Sequence, residues 1–272
     1  MPKYSGAKPY VAFNNGVLTF YYNDKYPQNA YFNVSGFEQD SVFALNPFAV
    51  NVTKVVFDDS FKNYSPKICS SCFEGFSNLT EIVNIKNFNT SSVTNMGGLF
   101  CGCYKLKSID LSSFNTENVE DMTSMFTSCG ALKSINLSTF NTKKVNCMKH
   151  MFANCVGLKN LDLSNFNTES LESLWGMFYG ANRLETIDLS NFNTSKIESF
   201  SNIFNNCSNL TKIYVGKDWT TKSAKNDEYS MFFDCPNLVG GKGTKFNPEK
   251  VTYEYAKIDG GESAPGYFTE KK

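Results

Sequence analysis

The segment "IDLSSFNTENVEDMTSMFTSC" begins at Ile109 and returns as "INLSTFNTKKVNCMKHMFANC", "LDLSNFNTESLESLWGMFYGA" and "IDLSNFNTSKIESFSNIFNNC". Its Phe-Asn-Thr triplet starts at Phe88, Phe114, Phe140, Phe166 and Phe192, 26 residues apart each time. No other feature limits the fold so tightly. A fixed period of this length means that one supersecondary unit is stacked many times, because a single copy cannot bury its own apolar face.

Each copy opens with Leu-x-x-Ile-x-Leu-x-x-Phe, as at Leu106, Ile109, Leu111 and Phe114. The Ile-x-Leu alternation has the period of two that sends both side chains to one face of a strand. The second half reads Val119, Met122, Met125, Phe126 and Cys129, a spacing that predicts the buried side of a short helix. Asn115 and Thr116 stand at the junction, where a short polar side chain would cap the first helical turn. Weaker copies extend the array to Val52, Val55 and Phe57 on one side and to Leu210, Ile213 and Val215 on the other, for about seven strands. One Phe recurs in every second half, at Phe73, Phe100, Phe126, Phe152, Phe178, Phe204 and Phe232, and is expected in the core.

The expected fold is therefore an α/β repeat: a leucine-rich-repeat-type solenoid with a parallel sheet on one face, short helices on the other and β caps at both ends. Residues 1–50 form the N-terminal β cap, 51–239 the solenoid of about seven 26-residue repeats, and 240–272 the C-terminal capping segment. Terminal coils need such cover. At the front, "YVAFNNGVLTFYY" reads as a hairpin about Asn15-Gly16, followed by the aromatic run "AYFNV". At the back, the strand-like run is Val251 to Ile258.

The unit "LSNFNT" followed by Met-Phe-x-x-Cys, over about Leu79 to Leu238, and the ending "KIDGGESAPGYFT" resemble the BspA-like family of bacterial surface leucine-rich-repeat proteins, in its mycoplasma lipoprotein-associated subgroup of unknown function. The resemblance implies a cell-surface or secreted protein that binds an extracellular or host protein in adhesion. The N-terminus lacks an apolar run of signal-peptide length, and a cytoplasmic location stays open. No apolar run is long enough to span a membrane, and no membrane insertion is expected.

Composition excludes other classes. With 26 basic and 26 acidic residues the chain has no net charge and no basic footprint for nucleic acid. Arg183 is its lone arginine, which disfavours bidentate recognition of phosphate or carboxylate. Nine Asn-x-Ser/Thr sequons, two of them in the repeated Asn column, argue against a glycosylating secretory route and for a bacterial origin.

The chemical candidates have plainer explanations. Cys103, Cys129, Cys155, Cys207 and Cys235 share one column in which Ala181 and Phe76 substitute, so they read as buried thiols. Cys69-x-x-Cys72 with Cys101-x-Cys103 could be combined into a zinc site, but columns already account for most of these residues. No metal and no cofactor are expected. His150, three residues after Cys147, admits a Cys–His nucleophile, yet its column of Gly98, Ser124, Gly176 and Asn202 reads as exposed helix. "GGKGT" at 240–244 lacks the spacing of a phosphate loop and reads as a turn. Asn89, Asn115, Asn141, Asn167 and Asn193 read as structural, bonding the backbone of neighbouring coils.

With Ile109 and Leu111 inward, the intervening residues point outward in three columns: Ser108, Ser134, Asn160 and Thr186; Asp110, Asn136, Asp162 and Asp188; Ser112, Ser138, Ser164 and Ser190. These twelve residues are the candidate ligand-binding face, since repeat arrays bind along such surfaces. A Ca²⁺ ion between Asp162 and Asp188 is disfavoured because the face offers too few oxygens. The expected function is non-catalytic recognition of a protein or glycan. The alternatives are a spacer whose repeats supply only length, and a Cys-dependent enzyme using Cys147 or Cys101 with a depressed thiol pKa.

Overall fold

The structure is a computed structural model and describes residues 6–32, 46–225 and 230–271. Its coils stack with the 26-residue step of the sequence. Strand β1 (Lys8–Asn14) turns back through Asn15 (φ 47°) and Gly16 (φ 80°) into β2 (Val17–Asn23). Two successive left-handed residues are what a tight hairpin requires, and Asn-Gly supplies them at low cost. β3 (Ala30–Tyr31) pairs with β1, while the last two residues of "AYFNV" lie outside the described residues. β2 runs parallel to β4 (Lys54–Phe57) with Leu18 opposite Val55 and Phe20 opposite Phe57, and β4 runs parallel to β5 (Glu81–Val83). The hairpin thus extends the sheet of the first coil, placing Phe20 against Phe57 at 4.9 Å.

A second parallel sheet closes the other end, where β6 (Thr186–Leu189), β7 (Lys212–Val215) and β8 (Phe268–Glu270) lie side by side. The expectation of a strand over Val251 to Ile258 is corrected: Tyr253–Tyr255 is a turn of 3₁₀ helix, and the pairing strand comes ten residues later.

The continuous seven-stranded sheet is also corrected. Between β5 and β6 the coils carry no strand ladder, although their Leu residues are buried. The amides of Ser112, Ser138 and Ser164 fold back in Asx turns onto the side chains two residues earlier, which keeps each extended run short; β6 makes the same turn at Asp188 and Ser190 but pairs as a strand with β7. Ile109 and Ile135 are accordingly half-buried, whereas Ile187 in β6 is fully buried.

The predicted helices are absent among the described residues, which contain no α-helix. The second half of each coil is a chain of tight turns. Met122, Ser124, Phe126 and Ser128 donate their N–H groups to the carbonyls of Cys147, Lys149, Met151 and Ala153 in the next coil, while Met125, Thr127 and Cys129 bond three residues back. Such alternation requires left-handed residues at regular intervals, and Ser124 (φ 56°) and Ser128 (φ 62°) supply them. The same two columns hold Gly98, His150, Gly176 and Asn202, and Gly102, Asn154, Gly180 and Asn206, all at positive φ. Gly, Asn and His are the residues that tolerate this region, so the helix-like spacing came from turns.

The core spine follows the expectation. Phe73, Phe100, Phe126, Phe152, Phe178, Phe204 and Phe232 stack ring on ring, with centroids 5.4 to 6.1 Å apart. All seven are buried.

Candidate functional site

The outward residues of each coil stand where the alternation puts them. Ser108, Asp110, Ser112, Ser134, Asn136, Ser138, Asn160, Asp162, Ser164 and Thr186 are exposed, and Asp188 and Ser190 are half-buried. The three columns are therefore largely open to solvent. Their chemistry differs from a set of free polar groups, because two columns are tied to their own backbone. Asp110 accepts the Ser112 N–H at 3.0 Å, Asn136 that of Ser138 at 3.0 Å, Asp162 that of Ser164 at 2.9 Å and Asp188 that of Ser190 at 3.0 Å. The Ser112 and Ser164 amides and hydroxyls together hold the Asp110 and Asp162 carboxyls below the usual carboxylate range. Each carboxylate keeps further acceptor positions directed at solvent.

The face also contains a residue that column reading could not supply. Lys271 forms an ion pair with Asp188, and its amide bonds the Val215 carbonyl at 2.9 Å. Partial burial works to raise the Asp188 pKa, but the Lys271 ammonium and the Ser190 amide and hydroxyl outweigh it and hold the carboxyl low. The space between Asp162 and Asp188 thus meets an ammonium from the tail. Among the described residues no group of three or more His, Cys, Asp or Glu side chains is arranged to hold a metal ion.

The coil corner corrects the role given to asparagine. Asn89, Asn115, Asn141, Asn167 and Asn193 accept the N–H two residues on within their own coil, at 2.9 to 3.1 Å. Contact between neighbouring coils belongs to the next residue. The buried Thr90, Thr116, Thr142 and Thr168 hydroxyls each donate to the carbonyl, and accept the N–H, of Asn115, Asn141, Asn167 and Asn193. The invariance of Thr beside Asn was the signal available in the sequence.

The column thiols of Cys103, Cys129, Cys155, Cys207 and Cys235 are buried and donate to the carbonyls of Phe73, Phe100, Phe126, Phe178 and Phe204. Cys101 is half-buried, and desolvation with nearby Glu74 raises its pKa, opposite to the shift a nucleophilic thiol would need. His150 is corrected from exposed helix to a half-buried left-handed turn residue whose ring lies against Trp175. The "GGKGT" turn wraps a carboxylate of its own chain: buried Asp259 accepts the N–H groups of Lys242 and Thr244 and the Thr244 hydroxyl.

No curated protein matches the chain. Among solved structures, it is 20% identical to a leucine-rich repeat protein from Bacteroides ovatus ATCC 8483, covering 87% of this chain and 81% of that one at a TM-score of 0.26. It is 14% identical to a leucine-rich repeat protein from Eubacterium ventriosum ATCC 27560, covering 87% and 76% at a TM-score of 0.27. One family matches twice, over residues 67–186 and 131–246, and so takes in most of the stacked coils. The chain belongs to that family, described as Mycoplasma protein of unknown function, DUF285.

Proposed function

We propose that this chain is a non-catalytic recognition module of the leucine-rich-repeat type, a solenoid covered by its two terminal sheets, that binds another protein at a bacterial cell surface through the columns from Ser108 to Ser190. One observation carries the reading. Ten of those twelve residues are exposed and two half-buried, on backbone that the Asx turns hold fixed. A preordered polar surface loses little conformational entropy when a partner docks.

The test is binding of the purified protein to a panel of extracellular-matrix proteins, beside a variant carrying Ser112→Lys, Ser138→Lys, Ser164→Lys and Ser190→Lys. The substitutions keep each backbone N–H that the Asx turns use. A partner bound by the native chain and lost by the folded variant supports the proposal, and binding that survives in the variant overturns this face as the site. The Asx turns themselves favour the second reading, a spacer, since they give the Asp and Asn side chains a structural task. That reading expects the variant to retain every partner.

A further inference from the structure

We propose that a groove beside Trp175 is a saccharide site, separate from the Ser and Asp columns. The groove has a volume of about 940 Å³ and is lined by Trp175, Lys149, Glu172, Lys196, Glu198 and Lys222 among others. Its residues come from the turn and corner parts of four successive coils, not from the strand positions.

Trp175 breaks its column. The equivalent positions hold Gly97, Thr123, Lys149 and Ser201, small or polar residues, so nothing in the coil's packing calls for an indole there. It is 39% exposed although it is among the largest apolar side chains. Its posture is nevertheless fixed. The His150 ring lies 4.9 Å away at 57°, and the Asn202 amide, oriented with its oxygen toward the indole, accepts the Trp175 N–H at 3.3 Å. Gly176 gives the His150 ring its place, because a Cβ on Gly176 would come within 2.4 Å of it. A held aromatic face opening into a polar groove is the arrangement that packs against the C–H face of a pyranose ring.

The rim selects the ligand's charge. Lys149, Lys196 and Lys222 bring donors, Glu172 brings acceptors, and Glu198 pairs with Lys225 at 2.6 Å. With Glu198 held by Lys225, the rim leaves three lysines against Glu172, and this excess of ammonium groups opposes a cationic ligand and suits an acidic one. Sugar hydroxyls, which donate and accept at once, meet Glu172 as well as the lysines. The occupant is an acidic oligosaccharide.

The chain has two tryptophans, and Trp219 is half-buried against Phe268, its N–H held by the Ala256 carbonyl. Intrinsic fluorescence therefore reports chiefly on Trp175 when a ligand enters the groove. The full chain is titrated with heparin pentasaccharide, a hyaluronan tetrasaccharide and trigalacturonate, and with cellopentaose as the neutral control. A blue-shifted emission with at least one acidic sugar, weakened by at least about tenfold in Trp175→Ala and largely restored in Trp175→Tyr as followed by calorimetry, supports the site. The same sugar binding equally well to the variant with four Ser→Lys changes separates this groove from the proposed protein face. Failure of every acidic sugar at millimolar concentration, undiminished binding by Trp175→Ala, or equal or tighter binding of cellopentaose each overturns it.

Discussion

The Thr116 hydroxyl donates to the Asn141 carbonyl at 3.0 Å and accepts the Asn141 N–H at 2.8 Å, so one side chain completes both main-chain bonds of a residue in the next coil. Thr116 is 1% exposed. Water cannot replace it there.

Thr116→Val keeps the shape and removes the hydroxyl, leaving the Asn141 N–H and C=O without their side-chain partner. Urea denaturation should show a loss of about 2 to 3 kcal/mol. Thr116→Ser, which retains both hydrogen bonds and loses one methyl group, should cost about 1 kcal/mol. A Val variant as stable as the native chain would mean that the coils are held by apolar stacking alone.

The 26-residue repeat, the Phe spine and the Asn-Gly hairpin were legible because each depends on a local rule that every copy obeys. The turn half of the coil was not, because Met122, Met125, Phe126 and Cys129 fall at intervals that a helix and a run of turns both satisfy. The discriminating sign lay in the recurring columns of Gly, Ser, Asn and His, which mark left-handed backbone. Alternation accounts for the exposure of ten of the twelve polar positions, but the Asx bonds depend on backbone dihedrals that alternation does not specify. Lys271 and Trp175 escape any column argument, since each is a departure from the repeat.

Gly176 (φ 61°) combines left-handed backbone with the overlying His150 ring. Gly176→Ala should therefore cost about 2 kcal/mol, from left-handed strain of about 1 kcal/mol and displacement of the ring. In a His150→Ala background the second part disappears, and the same substitution should cost about 1 kcal/mol. Thermal or urea unfolding of the four proteins in this cycle measures the difference. Additive costs would show that the ring moves aside freely.

Seven of the nine cysteines are buried, while Cys101 and Cys147 are half-buried. Burial raises the thiols of Cys129 and Cys207 and pushes those of Cys155 and Cys235 up to about 12. Since the thiolate is the reactive form, these groups are both inaccessible and protonated at neutral pH. Titration of the native chain with a disulfide reagent should modify no more than Cys101 and Cys147 within minutes, and all nine thiols in denaturant. Fast modification of the column thiols in the native state would contradict their packing beneath the Phe spine.

The tail segment is fixed by one carboxylate. Asp259 is 2% exposed and accepts Lys242 N–H at 2.7 Å, Thr244 N–H at 3.1 Å, the Thr244 hydroxyl at 2.7 Å and Gly261 N–H at 2.8 Å. Desolvation alone would raise its pKa, but these donors outweigh it and bring the carboxyl to about 2. Because the folded value lies below the unfolded one, the group stabilises the fold fully above the unfolded pKa of about 3.9. That stability is lost as pH falls through the folded value of about 2. In urea denaturation from pH 6 down to pH 2, the native chain should lose stability most steeply below about pH 4. Asp259→Asn should be less stable at pH 6, because its amide NH₂ faces main-chain donors, and should show a shallower decline over the acid range. Asp110 and Asp162, whose carboxyls are also held low, are exposed on the Ser and Asp face and contribute little to that slope. Parallel declines in the native chain and the Asp259→Asn variant would place the acid sensitivity elsewhere in the molecule.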